Sequence, residues 1–173
     1  PNPVAFNGGI AVPLSSDSAL LLAGTTDNWS TSDTMNAKLR AAPVIFKDGI
    51  AALPRSFESS LYLFNKEGKI VEGYPIELEG IFAAAPVFFE ETKGNYAAAF
   101  VSEDGRFSIR SLSKDYAETA SCDLNTVCKA DLAYSASLRA FFVVSQDGHL
   151  FKFNTEGAIT DSLPLKTGTA DDY

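Results

Sequence analysis

The chain has 173 residues, of which 46% are hydrophobic, 12% aromatic and 21% charged, enough for one domain with a real core and too apolar for a disordered segment. A formal charge of −8 and the lack of any Lys/Arg cluster exclude a nucleic-acid surface, because phosphate binding needs a basic face. No apolar run approaches the ~20 residues that a spanning helix needs, the longest candidate, Ile81–Phe89, being broken by Pro86.

The chain opens on Pro1-Asn2-Pro3 without an initiating methionine, which implies residues upstream of it. Val4–Phe6, Ile10–Leu14 and Ala19–Ala23 read as short strands, the last two joined by a turn at Ser15–Ser18. Gly24–Arg40 is polar and irregular and reads as a surface excursion; within it Asn28-Trp29-Ser30 is a glycosylation sequon. Pro43–Phe46 and Ile50–Leu53 flank a tight turn at Lys47-Asp48-Gly49. Ser59–Asn65 alternates polar and apolar, as a half-buried strand should.

The turn Asn65-Lys66-Glu67-Gly68 follows, with Gly68 free to take positive φ. Lys69–Leu78 then reads as an outer strand that tolerates Pro75. Ala85–Phe89 and Tyr96–Ser102 are the next two strands, and the small residues inside the latter suit a crowded inner position. The Glu103-Asp104-Gly105 turn leads to Arg106–Leu112 and to a strand near Tyr116–Cys122. The last group is Leu132–Tyr134, Arg139–Ser145, the Gln146-Asp147-Gly148 turn, His149–Asn154, the Thr155-Glu156-Gly157 turn and Ala158–Leu165. No stretch of ten or more residues carries the helical period.

These elements repeat. Residues 61–77, LYLFNKEGKIVEGYPIE, align without a gap on 150–166, LFKFNTEGAITDSLPLK, with seven identities in seventeen positions. A shorter period lies inside that 89-residue step. Ala-Pro-Val-Ile-Phe (42–46) returns as Ala-Pro-Val-Phe-Phe (85–89), with reduced copies at 2–6 and 130–134, and Ser102-Glu-Asp-Gly105 returns 43 residues on as Ser145-Gln-Asp-Gly148. Four copies of about 43 residues, near 1–40, 41–83, 84–128 and 129–173, fill the chain. Sheets that are apolar on both faces need cover on both sides, and radial stacking of identical sheets supplies it. The expected fold is therefore all-β, a β-propeller of about four four-stranded antiparallel blades forming one segment, residues 1–173. Ala170–Tyr173 stands where a fifth copy would begin, so the segment reads as an arc of a larger propeller; a closed four-bladed ring is the competing arrangement.

At Ser145-Gln-Asp-Gly-His-Leu-Phe-Lys-Phe-Asn-Thr-Glu-Gly157, and next best at Leu61–Gly68, the repeats resemble the quinoprotein-type (PQQ-like) propeller blade, in which an Asp-Gly turn leads into an inner strand and a second glycine turn leads out. That family holds quinone-dependent dehydrogenases, outer-membrane assembly lipoproteins and secreted proteins without known activity. Its enzymes need calcium, cofactor-stacking groups such as Trp and a catalytic acid, whereas this chain has one Trp, in its irregular stretch, and no acidic cluster of liganding spacing. Asp48, Gly49, Gly68, Asp104, Gly105, Asp147, Gly148 and Gly157 are accordingly read as structural turn residues, with Asp48, Asp104 and Asp147 taken as equivalents.

Cys122 and Cys128 are six apart, and His149, the only histidine, falls in another feature of the repeat, so no metal site is expected. The two cysteines are either a disulfide between the third and fourth repeats or two inert thiols. The reading is a non-catalytic propeller with no cofactor, presenting loops for protein–protein contact in an extracytoplasmic protein. Its partner is another protein, missing blades or a second copy. A ligand-binding or quinone- or metal-dependent enzyme propeller, with its site at the central channel, is the alternative.

Overall fold

The computed structural model describes residues 1–6, 8–14, 18–24, 29–39, 41–82, 84–112 and 116–165. Among them there is no helix, and sixteen strands form four four-stranded antiparallel sheets. The first holds β1 (Val4–Phe6), β2 (Gly9–Pro13), β3 (Leu20–Ala23) and β4 (Trp29–Thr31). The second holds β5 (Val44–Phe46), β6 (Gly49–Ala52), β7 (Ser60–Phe64) and β8 (Ile76–Glu77). The third runs β9 (Val87–Thr92), β10 (Asn95–Val101), β11 (Arg106–Ser111) and β12 (Glu118–Asp123), and the fourth β13 (Ala133–Ser135), β14 (Ala140–Val144), β15 (His149–Asn154) and β16 (Ile159–Pro164). Within every sheet the strands lie in chain order, so each is a meander of three hairpins.

Two stretches differ from the sequence reading. Gly24–Arg40 is not merely an excursion: Trp29–Thr31 pairs with β3 and completes the first sheet. All three residues of β4 are exposed, so no apolar alternation marks the strand. Asn28, the sequon's first residue, and Ser15–Asp17 of the first turn lie outside the described residues, as do Ala170–Tyr173. Lys69–Leu78 is not one strand either. Ile70 bridges singly to Phe64, Gly73 turns the chain at φ 88°, and pairing with β7 resumes only at Ile76–Glu77. Pro75 therefore stands just outside the strand.

The chain divides into two compact units, Pro1–Pro86 and Val87–Tyr173. In the first unit, the first two sheets face each other across Ala11, Leu20, Leu22, Met35, Ile50 and Phe64, all buried. The second unit has an aromatic interface between its two sheets. Phe107 stacks on Phe153 with ring centroids 4.1 Å apart, and Phe89 meets Phe141 edge-on at 4.9 Å. Ala97–Val101 in β10 and Gly49–Ala52 in β6 are buried throughout, as inner strands that lack a solvent face must be.

Candidate functional site

Two kinds of hairpin turn carry the repeated polar side chains. Between the second and third strands of the third and fourth sheets stands Ser-x-Asp-Gly, at 102–105 and 145–148. Between the third and fourth strands of the second and fourth sheets stands Asn-x-Glu-Gly, at 65–68 and 154–157. All four share one backbone pattern. The first residue's N–H donates to the carbonyl four residues on, as Ser145 does to His149 (2.9 Å), and the glycine N–H donates back to the first residue's carbonyl, as Gly148 does to Ser145 (3.1 Å).

Side chains then lock each turn. The Ser145 hydroxyl donates to the Asp147 carboxylate and accepts the His149 N–H at 3.0 Å; Ser102 does the same with Asp104 and with the Arg106 N–H at 3.1 Å. In the other kind the Asn65 side-chain oxygen accepts the N–H groups of Glu67 (3.0 Å) and Lys69 (2.9 Å), and that of Asn154 accepts Ala158 N–H (2.8 Å). The Ser145 hydroxyl is the main reason the Asp147 carboxyl lies below the usual carboxylate range. Desolvation opposes that shift, while the Thr126 and His149 side chains add to it. His149 Nδ1 lies 3.5 Å from Asp147 Oδ2, which gives a Ser–Asp–His cluster. It is no nucleophile and base pair: Ser145 is buried and bonded to its own turn, and the carboxylate stands between it and the imidazole.

Asp104, Gly105, Asp147, Gly148, Gly68 and Gly157 thus lie in the two turn types read from the repeat. Asp48 and Gly49 do not match them. They sit in the β5–β6 hairpin, which joins first and second strands, and so at the opposite end of a sheet from the turns of Asp104 and Asp147. Asp48 is therefore not the equivalent of Asp104 and Asp147 within its own sheet. The place corresponding to Asp104 in the second sheet is the longer β6–β7 loop, Leu53–Ser59.

The glycine turns also seat neighbouring sheets. A methyl group on Gly68 would come within 2.8 Å of the Ser32 Cα, and one on Gly157 within 2.5 Å of the Ala120 Cβ. In both units the Asn-x-Glu-Gly turn thus rests on the fourth-strand region of the sheet before it. Asp33 reinforces the first of these seats. Its N–H donates to Gly68 O (2.7 Å), and its carboxylate accepts Lys69 Nζ (2.8 Å) and Ile70 N–H (3.0 Å), which holds its pKa below the ordinary value. The sequence reading missed Asp33, and its only signal there was one acid in a polar stretch. The matching seat in the second unit opens into a groove of about 410 Å³ lined by Glu91, Thr119, Arg139 and Glu156 among others.

Cys122 is half-buried on β12 and Cys128 is buried; both are free thiols. Burial pushes both thiols up, with Asp123 adding to the effect at Cys122 and Asp147 at Cys128. Among the described residues, no three His, Cys, Asp or Glu side chains gather as metal ligands would, and no helix is long and apolar enough to cross a membrane.

Four-stranded meanders, packed face to face within each unit and seated there through a glycine turn, are the blades of a β-propeller, and solved structures agree. A structure of BBS1N in complex with ARL6DN superposes with a TM-score of 0.72 at 13% identity, over 91% of this chain and 49% of that one. BamB from Moraxella catarrhalis gives 0.62 at 14%, over 90% and 46%. The computationally designed protein Ika8 gives 0.66 at 10%, over 95% and 48%. At these identities the likeness is one of fold, and the chain spans about half the length of each structure. No protein-family model and no curated protein sequence matches it.

Proposed function

We propose that the chain is a non-catalytic propeller scaffold of the PQQ-like repeat type that binds another protein through its loops, in an extracytoplasmic protein. One observation carries the reading. Where the third and fourth sheets have a tight Ser-x-Asp-Gly turn, the second sheet has the loop Leu53–Ser59, with Phe57 at its tip and 90% exposed. The loop is held in place: Ser59 Oγ donates to Ser56 O (2.8 Å), and Asn36 Nδ2 donates to Glu58 O (2.7 Å). An aromatic ring presented on an ordered loop costs little entropy to bury and is the kind of anchor that dominates protein interfaces.

The turn acids support the same reading, since each accepts the hydroxyl of the serine two residues before it in its own turn. A propeller bound to another protein is among the similar structures. The extracytoplasmic assignment rests on the blade resemblance, and cell fractionation tests it. For the interaction itself, a photo-crosslinking residue placed at 57 in the producing cell is expected to give one discrete adduct, absent when the same residue stands at 160. No adduct at 57, together with a rise of several degrees in unfolding temperature on adding calcium or a quinone, would replace the scaffold with a ligand-dependent propeller.

A further inference from the structure

We infer that the partner meets the loop Leu53–Ser59 with an acidic segment, one in which an apolar residue is flanked by Asp or Glu; this rests on the interaction reading above and adds the chemistry of what binds. The loop is half of a short two-stranded ribbon. Leu39 and Pro54 form an antiparallel bridge, and Arg55 N–H donates to Lys38 O at 3.2 Å, which puts Lys38 directly opposite Arg55. Side chains alternate along such a pair. Leu39 and Pro54 are buried on the inner side of the ribbon, so Lys38 and Arg55 project together from the other side, and both are exposed. Phe57 stands two residues beyond Arg55, at the bend. Asn36 ties the ribbon to β7, its N–H donating to Tyr62 Oη at 2.9 Å while its side chain donates to Glu58 O. Two cations and an aromatic ring are thus held in place before anything binds, which keeps the ordering cost of binding low.

Charge decides the occupant. Residues 36–39 and 53–59 carry Lys38, Arg55 and a single acid, Glu58, whereas the whole chain has 22 acidic residues against 14 basic. A positive tip with an exposed ring is complementary to an apolar side chain set among carboxylates. Lys38 and Arg55 repel each other across the ribbon, and a carboxylate that reaches both relieves that repulsion. An anionic membrane fits less well, because a plane of negative charge faces the chain's own −8 as well as the tip. A short acidic segment meets the tip alone.

Fluorescence polarisation with the purified 173-residue chain tests this. The probes are labelled peptides with a central Leu or Phe between paired Glu residues, the same peptides with Lys for Glu, and phosphatidylglycerol vesicles. The acidic peptides are expected to bind at least about tenfold more tightly than the basic ones, and to lose about tenfold in Lys38→Glu with Arg55→Glu and in Phe57→Ala. Lys38→Gln with Arg55→Gln falls between, and Lys66→Glu with Lys93→Glu, which adds the same charge elsewhere, leaves binding unchanged. All five side chains are exposed, so an unchanged thermal midpoint certifies folding. Acidic peptides that bind no better than basic ones overturn the inference, as does a control pair that weakens binding as much as the loop pair. Vesicles that bind through Lys38 and Arg55 where the peptides do not give the tip to a lipid surface and overturn it as well. In the producing cell, the adduct formed at residue 57 should fall about tenfold in Lys38→Glu with Arg55→Glu. An adduct indifferent to that change overturns the acidic partner and leaves the interaction standing, whereas no adduct at all removes the interaction and this inference with it.

Discussion

Gly105 and Gly94 make a controlled pair for separating backbone strain from crowding. Both have positive φ, 91° and 84°, so alanine at either carries the left-handed cost, about 1–2 kcal/mol. Their surroundings differ. A Cβ at Gly94 would meet nothing within 4 Å, whereas one at Gly105 would lie 2.0 Å from the carbonyl oxygen of Thr126. That oxygen belongs to a backbone tied to the turn by Leu124 N–H to Gly105 O (2.9 Å) and Cys128 N–H to Glu103 O (3.0 Å). Moving it aside strains or breaks both bonds, at about 0.5–1.5 kcal/mol each. Gly94→Ala should therefore lower the unfolding free energy by about 1–2 kcal/mol and Gly105→Ala by about 2–5 kcal/mol. Urea unfolding followed by circular dichroism gives both values. Equal losses would show that the linker after β12 yields freely, and the crowding account of Gly105 would fail.

Removing the ring at the centre of the second unit, Phe153→Ala, should cost about 3–5 kcal/mol, since Phe153 is fully buried and stacked on Phe107; thermal unfolding reads it. Ser102→Ala leaves the Arg106 N–H and the Asp104 carboxylate without their shared partner and should cost about 1–2 kcal/mol in the same assay. The Asp33 pKa is lowered in the folded chain, so its stabilisation is present above the unfolded carboxyl pKa and fades as pH falls through the folded value. Asp33→Asn should accordingly differ from wild type in urea midpoint at pH 7 and converge on it in the acid range; a pH-independent difference would refute the charge-based account. Both thiols should react slowly with a disulfide reagent at pH 8 in the folded chain and fully once unfolded without reductant. No reaction after unfolding would reveal a disulfide.

The repeat was legible because it is written in residues the backbone itself requires. Ser102-Glu-Asp-Gly105 and Ser145-Gln-Asp-Gly148 recur because a hydroxyl, a carboxylate and a positive-φ glycine together close that hairpin. The strands beside them followed with small shifts at the ends, His149–Asn154 without any. What escaped notice lacks a side-chain period. β4 is exposed at each of its residues, and β8 is only two residues long, cut off by the turn at Gly73. Asp48 misled because an Asp-Gly pair looks alike at either end of a sheet; only strand pairing shows which hairpin it closes. The hydrogen bonds of Asp33 depend on a turn 35 residues downstream at Gly68, and local sequence cannot show such a partner.

Because strands join only to their immediate successors in the chain, each sheet has all its backbone partners once its own forty or so residues are available. During synthesis a sheet can zip up while the next is still inside the ribosome, with no strand waiting for a distant mate. What it then lacks is a neighbour to shelter its apolar side, so the hazardous interval in biogenesis runs from the end of one sheet to the arrival of the one that covers it.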